Sequence, residues 1–295
     1  MSAPPPVGQL RVGCAMWAHR PWVGPFLPAA TRAGEELAAY ATWCTAVEGN
    51  TTFYAVPPIE TVRRWAEATP ESFRFVFKLP RSITHELRLR GTDAEVLGFL
   101  RLLEPLGERV AQLSIQLPPT FGPSELAVLA AFLRRAPSRV RWAVEVRHPD
   151  FFAGGRAHIW LDRLLADTGT ERIILDTRTL YSKPPTDAAE RDGWGKKPRV
   201  PVIPTAVTDA PIVRYIGRTD VAETVAGWQP WLDVVAGWLT EGRSPTVFVH
   251  TPDNVVALGL ARRFHDQLRM RVPELAPLPA RAIDTEPEEQ QRLFD

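Results

Sequence analysis

Apolar runs along this sequence repeatedly end in side chains that can hold charge, move a proton or donate a hydrogen bond. They are Glu48 with Asn50, Lys78, Gln116, Glu145 with Arg147, Asp176, Arg214 and His250. Glu48 and Glu145 lie on well-separated runs. Facing each other across a pocket, they could divide acid and base roles if their surroundings drive their pKa values apart. Lys78, Arg147 and Arg214 suit an anion, the arginines through fork recognition of phosphate or carboxylate. Glu48, Glu145, Asp176 and His250 could hold Mg, Mn or Zn. No HxH or HExxH spacing supports that ligand set, and the neighbouring cations compete for the same carboxylates. His85 and His148, in predicted loops, are candidate proton carriers. Trp17 and Tyr54 add aromatic surface that a sugar could use. Buried charge is costly unless paired, so convergence of this set points to a binding or active site. A salt-bridge network closing the same place is the plain alternative.

Eight strand-like runs position these residues: 10–17, 46–50, 74–80, 110–117, 140–147, 172–176, 212–216 and 246–250. Helical patterns lie between most of them, at 35–43, 59–68, 94–106, 124–135, 158–167 and 231–240, and 255–268 follows the last. Parallel strands need such crossovers, and near-continuous apolar runs such as Arg172-Ile-Ile-Leu-Asp176 suit strands covered on both faces. The expected fold is a single α/β, (β/α)8 TIM-type barrel over residues 1–270, with chemistry at the C-terminal ends of its strands. An open doubly wound sheet is disfavoured, because no Gly-rich fingerprint follows the first strand.

Composition excludes several classes. The 35 Lys and Arg nearly cancel the 34 Asp and Glu of the 295 residues, so no overall basic excess marks a histone-like polyanion binder. Two cysteines, Cys14 and Cys44, allow no disulfide framework. No apolar run has the length of a membrane span, and the first residues lack a signal-peptide pattern, so a cytoplasmic location and no membrane partner are expected.

The same residues sit in segments that resemble a known family. Val12-Gly-Cys-Ala-Met-Trp17, Val47-Glu-Gly-Asn-Thr-Thr-Phe-Tyr54, Phe75-Val-Phe-Lys-Leu-Pro80, Gln116-Leu-Pro118, Val144-Glu-Val-Arg-His-Pro149, Ile174-Leu-Asp176 and His250-Thr-Pro-Asp253 are similar, in order, to the YecE-like family, domain of unknown function 72. The resemblance implies a (β/α)8 barrel and no particular activity. It implies site positions at Glu48, Asn50, Lys78, His85, Gln116, Glu145, Arg147, His148, Asp176 and Arg214. Many members carry Arg-x-His-Gly on the seventh strand, where this chain has Arg214-Tyr-Ile-Gly217. Where others have asparagines on the eighth strand, it has His250.

Two segments extend the barrel. The Pro-rich connection 178–211 follows the sixth strand and reads as a long loop without regular structure over the strand ends. Its Lys196 and Lys197 would assist recognition of a phosphorylated ligand or a nucleic-acid backbone. Residues 271–295 change to a Pro-rich, acidic tail, expected to be extended. It closes on Gln290-Gln-Arg-Leu293-Phe294, similar to the Gln-x-x-Leu-Phe peptides that attach bacterial proteins to the sliding clamp. The leading expectation is a hydrolase-like enzyme acting on a phosphoester or nucleic acid. A lyase, isomerase or glycosidase on a small phosphorylated or acidic sugar, and a non-catalytic ligand- or partner-binding module, are the alternatives.

Overall fold

The computed structural model describes residues 7–281. Nine parallel strands form one sheet: β1 (Arg11–Cys14), β2 (Ala46–Gly49), β3 (Arg74–Lys78), β4 (Val110–Gln116), β5 (Trp142–Glu145), β6 (Glu171–Arg172), β7 (Ile174–Asp176), β8 (Ile212–Ile216) and β9 (Thr246–His250). The ladder runs β6-β5-β4-β3-β2-β1-β9-β8-β7. Its two ends, β6 and β7, are separated in the chain by Ile173 alone, so the sheet nearly closes on itself. The interruption halves the sixth expected strand, and the Ile173 amide still donates to Val144 at 2.9 Å.

Helices cover the outside: α1 (Glu36–Tyr40), α2 (Thr51–Tyr54), α3 (Ile59–Glu67), α4 (Asp93–Leu103), α5 (Leu126–Arg135), α6 (Arg156–Asp167), α7 (Ala188–Lys196), α8 (Val221–Gly227), α9 (Gln229–Thr240) and α10 (Ala257–Arg269). Successive strand side chains point to opposite faces. One set, including Val47, Phe75, Phe77, Ile115, Val144, Val213 and Val247, packs into the large core shared with the helices. The alternate set fills the barrel in layers. Ala46, Val76, Ala143, Ile173, Ile212 and Phe248 make an apolar middle layer. Two residues further along β2, β3, β5, β8 and β9, the same inward face carries Glu48, Lys78, Glu145, Arg214 and His250.

Two expectations need correction. The connection after β7 is not structureless: Asp187 caps α7 by accepting from the Glu190 amide at 2.8 Å. It is tied to the barrel where buried Arg218 pairs with buried Glu190 at 2.5 Å. The start of the tail is not free of the core either. Val272, Leu275 and Leu278 are buried against it, because a short apolar spacing suffices to seat a Pro-rich segment. Gln290, Leu293 and Phe294 lie outside the described residues. No helix among the described residues is long and apolar enough to cross a membrane.

Candidate functional site

Five strands deliver one buried ionic chain to the C-terminal end of the barrel. Asn50 Nδ2 donates to Glu48 Oε2 at 2.8 Å, and Arg214 Nη2 donates to the same oxygen at 3.1 Å. Arg214 Nε lies 2.7 Å from Glu48 Oε1, though off line for a hydrogen bond. The other arm of Arg214 donates to Glu145 Oε2, while Arg147 grips Glu145 Oε1 through Nε at 2.8 Å and Nη2 at 2.6 Å. Lys78 Nζ donates to Gln116 Oε1 at 2.8 Å and stands 3.9 Å from Glu48 Oε1. His250 Nε2 is 4.0 Å from Glu48 Oε2 and has no hydrogen-bond partner among the described residues. Gly49 lets β2 approach β3 here, since a Cβ would fall 2.2 Å from the Phe77 ring.

The electrostatics follow from burial and neighbours. Burial opposes the charge on Glu145, but Arg214, Arg147 and Lys78 outweigh it and hold the carboxyl well below the usual range. Burial likewise opposes the charge on Arg214, and Glu48 and Glu145 overcome it. Lys78 goes the other way: burial and then Arg214 push its ammonium down to about 8 despite Glu48 and Glu145. His250 is held neutral by burial, Arg214, Lys197 and Lys78. Burial and Arg214 also lower Lys197, whose Nζ has no carboxylate partner among the described residues. A carboxylate whose oxygens are taken by guanidinium groups is a poor proton carrier, whereas an amine poised near neutrality is a good one.

A cavity of about 530 Å³ opens above this chain. Lys78, Gln116, Arg147, Lys197, Arg214 and His250 line it, with Asn50, Tyr54 and Lys196 also on its wall. Lys196 is exposed and paired with Asp192 at 2.6 Å. Tyr54 stands at the rim, 81% exposed.

Other expected residues lie elsewhere. Asp176 faces the helices, accepting from Trp231 Nε1 at 2.7 Å and from Arg178 Nη2 at 2.8 Å. It is one step off the inward face, which Ile173 and Leu175 occupy. Glu48, Glu145, Asp176 and His250 therefore do not converge as a ligand set, and among the described residues no three His, Cys, Asp or Glu side chains group as metal ligands. Trp17 also turns outward, onto Trp65 and Phe75, with ring centroids 5.1 and 6.2 Å away. His148 caps the turn that follows it, accepting from the Asp150 amide at 3.3 Å, and packs against Phe151. His85 sits behind the wall against Phe53, held near 4 by burial and by Arg147, Arg81, Arg88 and Lys78.

The family model described as "Protein of unknown function DUF72" matches residues 11–283. The chain belongs to the DUF72 family. It is 40% identical to the UPF0759 protein YecE of Escherichia coli K12 over 270 residues, 91% of this chain and 96% of YecE. A DUF72 family protein of Enterococcus faecalis shares its fold, with a TM-score of 0.64 at 20% identity over 91% of this chain and 99% of that one. The DUF72 protein of Thermotoga maritima gives 0.63 at 21% identity over 90% and 100%.

Within this DUF72 chain, Ile216 and His250 are register partners on β8 and β9, and both line the cavity. His250 thus brings an imidazole to the cavity wall beside the apolar side chain of Ile216. Sequence reasoning left out several wall residues. Leu175 and Ile216 are legible from strict alternation along their strands. Asn254, at a φ of 58°, follows from a turn conformation that composition does not announce.

Proposed function

We propose that this mouth binds a small phosphorylated or acidic sugar and that Lys78 passes a proton to or from it, in a lyase or isomerase step. One observation carries the reading. Both carboxylates are engaged by guanidinium groups, while the Lys78 amine opens on a cavity walled by Arg147, Lys197 and Arg214. Arg147 and Lys197 would hold the anionic group. Lys78 as free amine would take a proton from carbon next to a carbonyl, and Arg214 would steady the developing enolate. Glu145 and Glu48 act as positioning counterions rather than as the acid and base expected from sequence.

The test is solvent-proton exchange. A panel of sugar phosphates and sugar acids, first screened by thermal shift, is incubated with the protein in heavy water and followed by proton NMR. A bound compound should lose a carbon-bound proton signal with the wild-type chain but not with Lys78→Met. Binding without exchange would reject the catalytic role, and no binding by any member would reject the ligand class.

A second reading, phosphoester recognition in nucleic acid, draws on Lys196 and Lys197 beside the exposed ring of Tyr54, on which a base could stack. It requires salt-sensitive binding of single-stranded DNA that weakens in Lys196→Ala/Lys197→Ala. Absence of binding at low salt removes it.

A further inference from the structure

The alternation that sends Glu48 and Lys78 into one mouth sends the first residues of β1 and β3, Arg11 and Arg74, towards the other. A second cavity, about 570 Å³, opens at this N-terminal end. Arg11, Arg74, Arg139 and Arg141 line it, with Glu108 and Asp209 as its carboxylates. Only Asp209 is engaged, gripped by both arms of Arg141. Arg74 Nη1 donates to the backbone carbonyls of Glu71 and Phe73, at 2.5 and 2.9 Å, which leaves its charge without a carboxylate. Arg139 is exposed, and no ion pair forms on it among the described residues. Arg11 reaches Gln9 Oε1 at 3.4 Å, and its Nε is buried with no hydrogen-bond partner among the described residues.

Four guanidinium groups around one concavity thus share a single engaged carboxylate. Burial, Arg74 and Arg141 together push the Arg11 guanidinium down to about 10, against a smaller pull from Asp209. Like charges crowded in this way raise the energy of the unliganded basin, and a multiply charged anion lowers it. Guanidinium forks match phosphate oxygens in geometry as well as charge. A network that merely closed the barrel floor would give Arg11 and Arg74 carboxylate ion pairs, and neither forms one among the described residues.

We propose that the N-terminal basin is a second anion site, distinct from the mouth, that takes a diphosphate group through Arg11, Arg74 and Arg139. Its volume of about 570 Å³ and its surplus of two positive charges exceed what one phosphate would satisfy.

The probe is inorganic pyrophosphate with the full chain. Arginines are labelled with phenylglyoxal with and without millimolar pyrophosphate, and each peptide is quantified by mass spectrometry. Arg139 and Arg11 should be protected several-fold in wild-type protein. The same protection should persist in Lys197→Ala, which alters only the opposite mouth. Arg139→Ala, an exposed change that leaves the fold intact, should raise the pyrophosphate concentration that protects Arg11 by roughly tenfold, the worth of one charged hydrogen bond. Unchanged labelling of Arg11 and Arg139, or protection confined to Arg147, would overturn the proposal. The latter outcome would leave the mouth reading standing, so the two sites succeed or fail separately.

Discussion

Substituting Glu145→Gln tests the ionic chain at its centre. Glu145 is 1% exposed and, among the described residues, is the only carboxylate that Arg147 touches; it also takes one arm of Arg214. Glutamine keeps the shape and one acceptor but removes the charge. Arg147 then has no counterion, and Arg214 keeps Glu48 alone. Breaking one side of a buried pair typically costs about 3–5 kcal/mol, and solvent screening does not reduce it at this burial. Glutamine, as a partial replacement, should sit near the lower figure. A chain of this size loses roughly 2–4 °C of Tm per kcal/mol, so a fall of roughly 6–12 °C is expected. The effect should depend on pH in a defined sense. The carboxyl of Glu145 is held below its unfolded value, so its contribution is complete above about pH 4.3 and is lost as pH falls through the folded value. The Tm gap between wild type and variant should therefore stay constant from pH 8 down to about 5 and narrow below about 4. Differential scanning calorimetry across that range measures both. A gap under about 2 °C at neutral pH, or one that widens in acid, would refute the account of Glu145 as an obligate counterion.

Three further outcomes follow. The Lys78 amine, at about 8, should titrate more than two units below an ordinary lysine. Its depressed value means the folded state binds that proton less readily than the unfolded chain. Its cost to stability is thus complete below about 8 and lifts as pH rises towards about 10.4. Nitrogen NMR of labelled lysine reads the titration, and any exchange activity should rise between about pH 7 and 9 as the amine is freed; a normal lysine titration would contradict both. Asp176→Asn should lower stability by about 1–3 kcal/mol, because an amide nitrogen must face Arg178 or Trp231, yet leave anion affinity at the mouth unchanged. A large loss of ligand affinity would return Asp176 to the site. Deleting 290–295 should abolish co-elution with a bacterial sliding clamp if Gln290, Leu293 and Phe294 dock there; unchanged co-elution would exclude that role.

The barrel was legible because the unit count and the apolar runs both reflect strands covered on two faces, as β8 and β9 are. Glu48, Lys78, Gln116, Glu145 and His250 were legible near strand ends, and Arg214 as the ionisable residue within its strand. What failed was facing. Asp176 also ends its strand, but alternation turns it out to Trp231; Trp17 lies three residues beyond the end of β1, where the chain has left the strand and packs the ring on Trp65. Counting two residues back from Asp176 to Ile174, which packs in the helical core, would have shown it. The helix in the long connection was hidden because Pro-rich flanks dominate the composition around Asp187, whose capping bond starts it. Pairing was the least legible property of all. No pattern in one chain announces that Arg214 bridges two carboxylates whose positions lie 97 residues apart, Glu48 and Glu145.

That bridge sets the charge balance of the mouth. Lys78, Arg147, Arg214 and Lys197 bring four positive charges to the cavity region, and Glu48 and Glu145 return two. His250 contributes none while it is held neutral. A surplus of two charges is unfavourable in low dielectric, and burial first, then Arg214, lower Lys78 and Lys197. Stability alone would be better served by apolar residues at these positions. An incoming anion reverses the balance: it lowers the repulsion among Lys78, Arg147 and Lys197, and it raises the affinity of Lys78 for a proton. Binding and proton uptake are then linked, so anion affinity should fall as pH rises past about 8. An affinity independent of pH between about 7 and 9 would show that Lys78 does not face the ligand.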